Sequence, residues 1–113
     1  MAAEWHLIVR SGSKVERERV PTLEEGLDAL AARLAPLREA PPLRTVRGLG
    51  REYEPVKQVA ARLELARGRL GRPRGGIDVR GDGSVEAWLG LVRKRLLDGP
   101  DPVVALGEAL AAS

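Results

Sequence analysis

The chain opens with a period of two: Trp5, Leu7 and Val9 fall on one side, and His6, Ile8 and Arg10 on the other. That alternation predicts a strand whose Trp5, Leu7 and Val9 face a core. The next run, Lys14 to Val20, is charged on both sides except at Val15 and Val20. It predicts an edge strand, where charge discourages unwanted pairing with other chains. The period then lengthens. Leu23, Leu27, Leu30 and Leu34 form a helical stripe, opened by a capping box of Thr22 and Glu25 and ending near Pro36.

Residues 38–55 carry three prolines, two glycines and scattered arginines, and predict a long irregular connection. From Val56 to Leu70 the composition suits a helix, but Leu65 favours a strand. In a helix seeded by Val56, Val59 and Leu63 it would leave the apolar stripe, whereas a strand aligns Val59, Ala61, Leu63 and Leu65. The strand is adopted, with the helix as the open alternative. A basic hairpin loop at 67–76 leads to a strand ending at Arg80, a turn at Gly81-Asp82-Gly83 and a long strand from Val85 to about Leu96. Asp101 then caps a helix with Pro102 in its first position, docked by Leu106 and Leu110.

A near-repeat links the two halves. Val9-Arg10-Ser11-Gly12-Ser13-Lys14-Val15-Glu16 is echoed seventy residues on by Val79-Arg80-Gly81-Asp82-Gly83-Ser84-Val85-Glu86. Each copy reads as a hairpin followed by a helix. The expected fold is therefore α+β: a single domain over 1–113 with two strand-turn-strand-helix units, ββα then βββα, sharing one antiparallel sheet with the helices on one face.

Composition narrows the chemistry. With 113 residues the chain is of single-domain size, and its core has to be built from Leu, Val and Ala, since there is no Phe and only Trp5, Trp88 and Tyr53 are aromatic. Cysteine is absent, which removes disulfides, thiolate nucleophiles and thiolate metal ligands and fits a reducing cytoplasm. The first residues lack the basic leader and apolar run of a signal peptide, and no apolar stretch approaches the ~20 residues that span a bilayer. A cytoplasmic protein with no membrane partner is expected.

Charge is unevenly placed. Net charge is +3, yet residues 38–74 hold ten basic side chains against four glutamates, while both flanking segments are slightly acidic. Catalytic constellations are scarce by contrast. His6 is the sole histidine and sits in a predicted strand, and Ser11, Ser13 and Ser84 belong to hairpin turns. No Asp-rich calcium loop, His and carboxylate cluster, GxGxxG or GxxxxGK[ST] pattern occurs, so no catalytic residue, cofactor or metal is expected. Arg80-Gly81-Asp82 matches an integrin-recognition tripeptide, which the demands of the turn explain.

Two short resemblances bear on function. Gly71-Arg72-Pro73-Arg74, preceded by Arg69, resembles the core of an AT-hook, which implies an Arg-Pro backbone lying in the minor groove of A·T-rich DNA. Leu70 stands where that family has an arginine. The carboxy-terminal strand-strand-strand-helix order with Arg80-Gly81-Asp82-Gly83-Ser84 resembles arm-type DNA-binding modules of tyrosine recombinases. Beside them stands the basic segment itself, in which Arg44, Arg47, Arg51, Arg62, Arg67, Arg69, Arg72 and Arg74 are the expected nucleic-acid contacts, since guanidinium groups grip phosphate and stay charged. The expected function is a non-enzymatic binder of DNA or RNA that engages the duplex backbone. Six phosphate contacts would give a slope of log affinity against log salt of about −5. The alternative is a homodimeric interaction module using a sheet edge or the Trp88 face.

Overall fold

The two-residue period at the start of the chain becomes β1 (Trp5–Ser11), and the charged run after it becomes β2 (Lys14–Val20). The computed structural model describes residues 4–39, 46–48, 51–53, 59–90 and 93–113, with the backbone alone for 46–48 and 51–53. After β2 come α1 (Leu23–Glu39), β3 (Val46–Gly48), β4 (Arg51–Tyr53), β5 (Val59–Arg67), β6 (Arg74–Arg80), β7 (Val85–Leu89), β8 (Arg95–Leu97) and α2 (Pro102–Ala111). The fold is α+β. Six strands form one antiparallel sheet in the order β2-β1-β5-β6-β7-β8, and β3 pairs with β4 separately.

Register explains the core. Directly paired residues on antiparallel strands share a side of the sheet. The rows Val9, Leu63, Ile77, Ala87 and Leu7, Leu65, Gly75, Leu89 therefore line up apolar residues across four strands. Leu30 and Leu34 of α1 and Leu106 and Leu110 of α2 join the same buried cluster. Gly26, inside α1, lets the helix close on Leu65, because a Cβ there would meet that side chain at 3.1 Å. The helix starts behave as their residues predict. Thr22 Oγ1 accepts from the Glu25 amide at 3.1 Å, and the Asp101 carboxylate accepts from the amides of Val103 and Val104.

Four details depart from expectation. α1 runs past Pro36 to Glu39 rather than stopping there. Proline lacks one helical donor, but the extra turn packs Leu37 against the core. The 38–55 connection is not wholly irregular, since it holds the β3-β4 pair. The basic loop is shorter than 67–76, because β5 keeps its pairing to Arg67 and β6 resumes at Arg74. Finally, the long strand from Val85 to Leu96 is two strands. Gly90, directly after β7, has φ +122, a conformation that side chains rarely adopt, and β8 pairs antiparallel with β7.

The two echoed hairpins also differ by one residue of register. In the first, Val9 faces Glu16 and Arg10 faces Val15; in the second, Val79 faces Val85 and Asp78 faces Glu86. A one-residue slip moves every side chain to the other side of a sheet. Val85 consequently packs against the core, while its counterpart Val15 is 46% exposed.

Candidate functional site

The side of the sheet opposite the aliphatic rows is polar, and it is organised by the same register. One row runs Arg10, Arg62, Asp78, Glu86 across β1, β5, β6 and β7. The next runs Ile8, Glu64, Gly76, Trp88, and a third runs Arg19, His6, Ala66, Arg74 across β2, β1, β5 and β6. The two ends of this polar side are built differently.

At the end near the hairpin turns the charges are paired. The Asp78 carboxylate is 7% exposed and accepts from Arg62 Nε at 2.7 Å, Arg62 Nη2 at 3.0 Å and Trp88 Nε1 at 3.0 Å. This fork geometry supplies acceptors for a buried indole and a half-buried guanidinium together. The Asp78 hydrogen bonds raise the Arg62 pKa still further, against the opposing effect of burial. Trp88 is 2% exposed, with the Arg62 guanidinium 5.5 Å and the Lys94 ammonium 4.2 Å from its ring centroid. Gly76 makes room for that ring, since a Cβ on it would lie 2.7 Å from the indole and 2.3 Å from the Leu63 carbonyl. Arg80 binds Glu86, and Arg10 lies 3.6 Å from the buried Glu64. A depression at this end is thus lined by Arg10, Arg62 and Arg80, each beside a carboxylate, although the Glu64 next to Arg10 is shared with Arg74.

At the other end lies an open groove of about 910 Å³ between the β1-β2 edge and the turn joining β5 to β6. Its lining includes Arg17 and Arg19 from β2, His6 and Ile8 from β1, Arg69 and Leu70 from the turn, and Arg74 from β6. The floor is apolar, because Ile8 and Ala66 are buried there. Glu4 and Glu18 also line it, and Arg19 comes within 3.9 Å of Glu4 between two exposed side chains, a weak pairing. Arg74 is 3.6 Å from Glu64, while its own Nε is buried without a hydrogen-bond partner among the described residues. Among the described residues, Arg17 and Arg69 make no ion pair.

The arginines expected from the sequence separate accordingly. Arg69 and Arg74 meet at the groove. Arg62 belongs to the Asp78 and Trp88 network at the opposite end. Arg67 pairs in register with Trp5, at the exposed end of its strand, and Arg72 is exposed in the turn; neither lines the groove. Arg47 and Arg51 fall on β3 and β4, whose side chains are outside the described residues, as is Arg44 altogether. The segment resembling a hook core closes a hydrogen-bonded turn, with the Arg72 amide donating to the Arg67 carbonyl and the Arg67 amide to that of Pro73. Trp88, expected as a docking face, is buried within its own sheet, and Leu91 lies outside the described residues.

Sequence reasoning missed Arg17 and Arg19. It assigned them to edge protection, and the only signal that could have found them is the long-range register placing Arg19 opposite His6, two strands from Arg74. Among the described residues no group of three or more His, Asp or Glu is arranged to hold a metal, and no helix is long and apolar enough to cross a membrane. No protein-family model matches the chain, and neither a curated protein nor a solved structure shows significant similarity to it.

Proposed function

We propose that the protein is a non-enzymatic nucleic-acid-binding module that holds the phosphate backbone of a duplex along the groove between β2 and the β5-β6 turn. The observation that carries this reading is the convergence of four arginines, Arg17, Arg19, Arg69 and Arg74, from three separate elements on one open groove. Arg17 and Arg19 stand two residues apart on a strand, or about 6.8 Å. A single-strand platform is disfavoured, because among the described residues the lining has no Phe, Tyr or Trp on which bases would stack. The reading takes both helices to cover the side of the sheet away from the groove, supported by their shared cluster with Leu7, Leu63 and Ile77.

The test is salt dependence of duplex binding, followed by fluorescence anisotropy between about 50 and 200 mM salt. Four phosphate contacts predict a slope of log affinity against log salt of about −3.5. Absence of any duplex or RNA binding at the lowest salt rejects the proposal. A second reading, self-association through the β8 edge, is favoured by Leu96, which is 59% exposed on the Trp88 row. Light scattering separates the two, since this reading requires a dimer without nucleic acid that Leu96→Lys dissociates.

A further inference from the structure

We infer that Leu70 is a wedge that enters the minor groove of a bound duplex and partly unstacks one base step, so that the protein bends the DNA it holds. This rests on the nucleic-acid reading above and extends it from affinity to the shape of the complex. Leu70 is 87% exposed, the most exposed of the large hydrophobic side chains among the described residues. One exposed leucine is ordinary. This one stands at the tip of the β5-β6 turn, lies between exposed Arg69 and Arg72, and rims the same groove as Arg17, Arg19 and Arg74.

The tip is also firmly mounted. The Arg67 amide donates to the Pro73 carbonyl at 3.1 Å and the Arg72 amide to the Arg67 carbonyl at 3.1 Å, closing the turn across its base. The Gly68 amide reaches back to the Glu4 carbonyl at 2.8 Å, tying the turn to the start of β1. Gly68 and Gly71 have φ +67 and +65, which lets the chain reverse tightly on either side of Leu70. A wedge has to resist the stack it opens, and these bonds supply that resistance.

Charge selects the partner. Arginines beside the tip favour a polyanion, and the minor groove concentrates negative potential where it narrows. Apolar side chains that enter from that side, leucine among them, unstack base steps and kink the duplex by about 20–90°. Insertion would remove the leucine from water while Arg69 and Arg72 meet the flanking phosphates.

The experiment measures end-to-end energy transfer across a roughly 20-base-pair duplex carrying a dye at each end, with full-length wild type and Leu70→Ser. Because Leu70 is exposed, the variant should fold as wild type does, which circular dichroism verifies. Wild type should raise transfer by an amount corresponding to a bend in the range of about 20–90°. Leu70→Ser should abolish the bend, keep the salt slope and weaken binding roughly tenfold, because the apolar burial of the leucine between the bases is lost while the phosphate contacts stay. Duplex binding without a change in transfer, or equal bending by both proteins, overturns the wedge and leaves the groove reading intact. Failure to bind any duplex overturns both. Binding to vesicles of anionic lipid that Leu70→Ser abolishes, with no bending of DNA, assigns the tip to a membrane surface and overturns the wedge.

Discussion

Arg62 and Arg69 lie in the same basic stretch of sequence, yet they sit at opposite ends of the polar side of one sheet and do different work. Arg62 is held by a buried carboxylate and lies against a buried indole, so it is part of how the sheet is built. Arg69 is exposed on a turn and makes no ion pair among the described residues, so its charge faces solvent. An arginine-rich segment is therefore not one surface. Whether each cation is available depends on whether register places an acidic residue beside it, and it does so for Arg10, Arg62 and Arg80.

The contrast breaks most readily at Asp78. Asp78→Ala leaves the Trp88 N–H and the Arg62 guanidinium without their acceptor and should cost about 3 kcal/mol, measured by urea unfolding. A loss below about 1 kcal/mol would show that the network is not structural. Next comes Gly76→Ala, whose new methyl would meet both the Leu63 carbonyl and the Trp88 ring. About 2 kcal/mol of destabilisation is expected, with reduced near-ultraviolet circular dichroism from Trp88.

At the groove the effect moves from stability to binding. Arg17→Gln with Arg69→Gln should leave stability within about 0.5 kcal/mol of wild type, because both side chains are exposed. The same pair should flatten the salt slope of duplex binding by about 1.8. Arg62→Gln should do the opposite, lowering stability while the slope stays put. If Arg62→Gln flattened the slope as much as the groove pair, the division between the two ends would fail.

The smallest effect concerns pH and the turn between β6 and β7. Hydrogen bonds from the Ser84 hydroxyl, and then from its amide, hold the Asp82 carboxyl below its ordinary value. Its folded-state pKa is depressed, so the stability it contributes is present above the unfolded pKa, which lies near 4. That contribution is lost as pH falls through the folded value. Ser84→Ala removes the larger cause and should raise the carboxyl titration midpoint followed by NMR. Arg62 contributes no such limb in any working range, since an arginine is already charged in the unfolded chain and the raised pKa keeps it charged in the folded one.

Much of the frame was legible in the chain because it depends on local pattern. The alternation at Trp5, Leu7 and Val9, the Thr22 and Asp101 caps, and Leu65 as arbiter between strand and helix all act within a few residues. Gly90 was missed because a lone glycine in an apolar strand pattern is a weak signal, and its positive φ is seen only in the folded backbone. Pro36 was misjudged because the packing of Leu37 outweighs one lost helical bond.

The candidate site was legible only in part, as the echoed hairpins illustrate. Four of their eight residues match, at the two ends, but the turn residues between them differ and the pairing differs by one position, and that slip sends Val85 inward and leaves Val15 in solvent. Sequence alone determined that arginines would be plentiful and where β1, β2, β7 and the two helices would begin. Cross-strand register, a long-range property set by which turns close and which faces bury, decided which arginines Asp78 and Glu64 would engage. It also brought Arg17 and Arg19 to the same groove as Arg69 and Arg74 across some fifty residues of chain, because β2 and β6 each flank the β1-β5 pair.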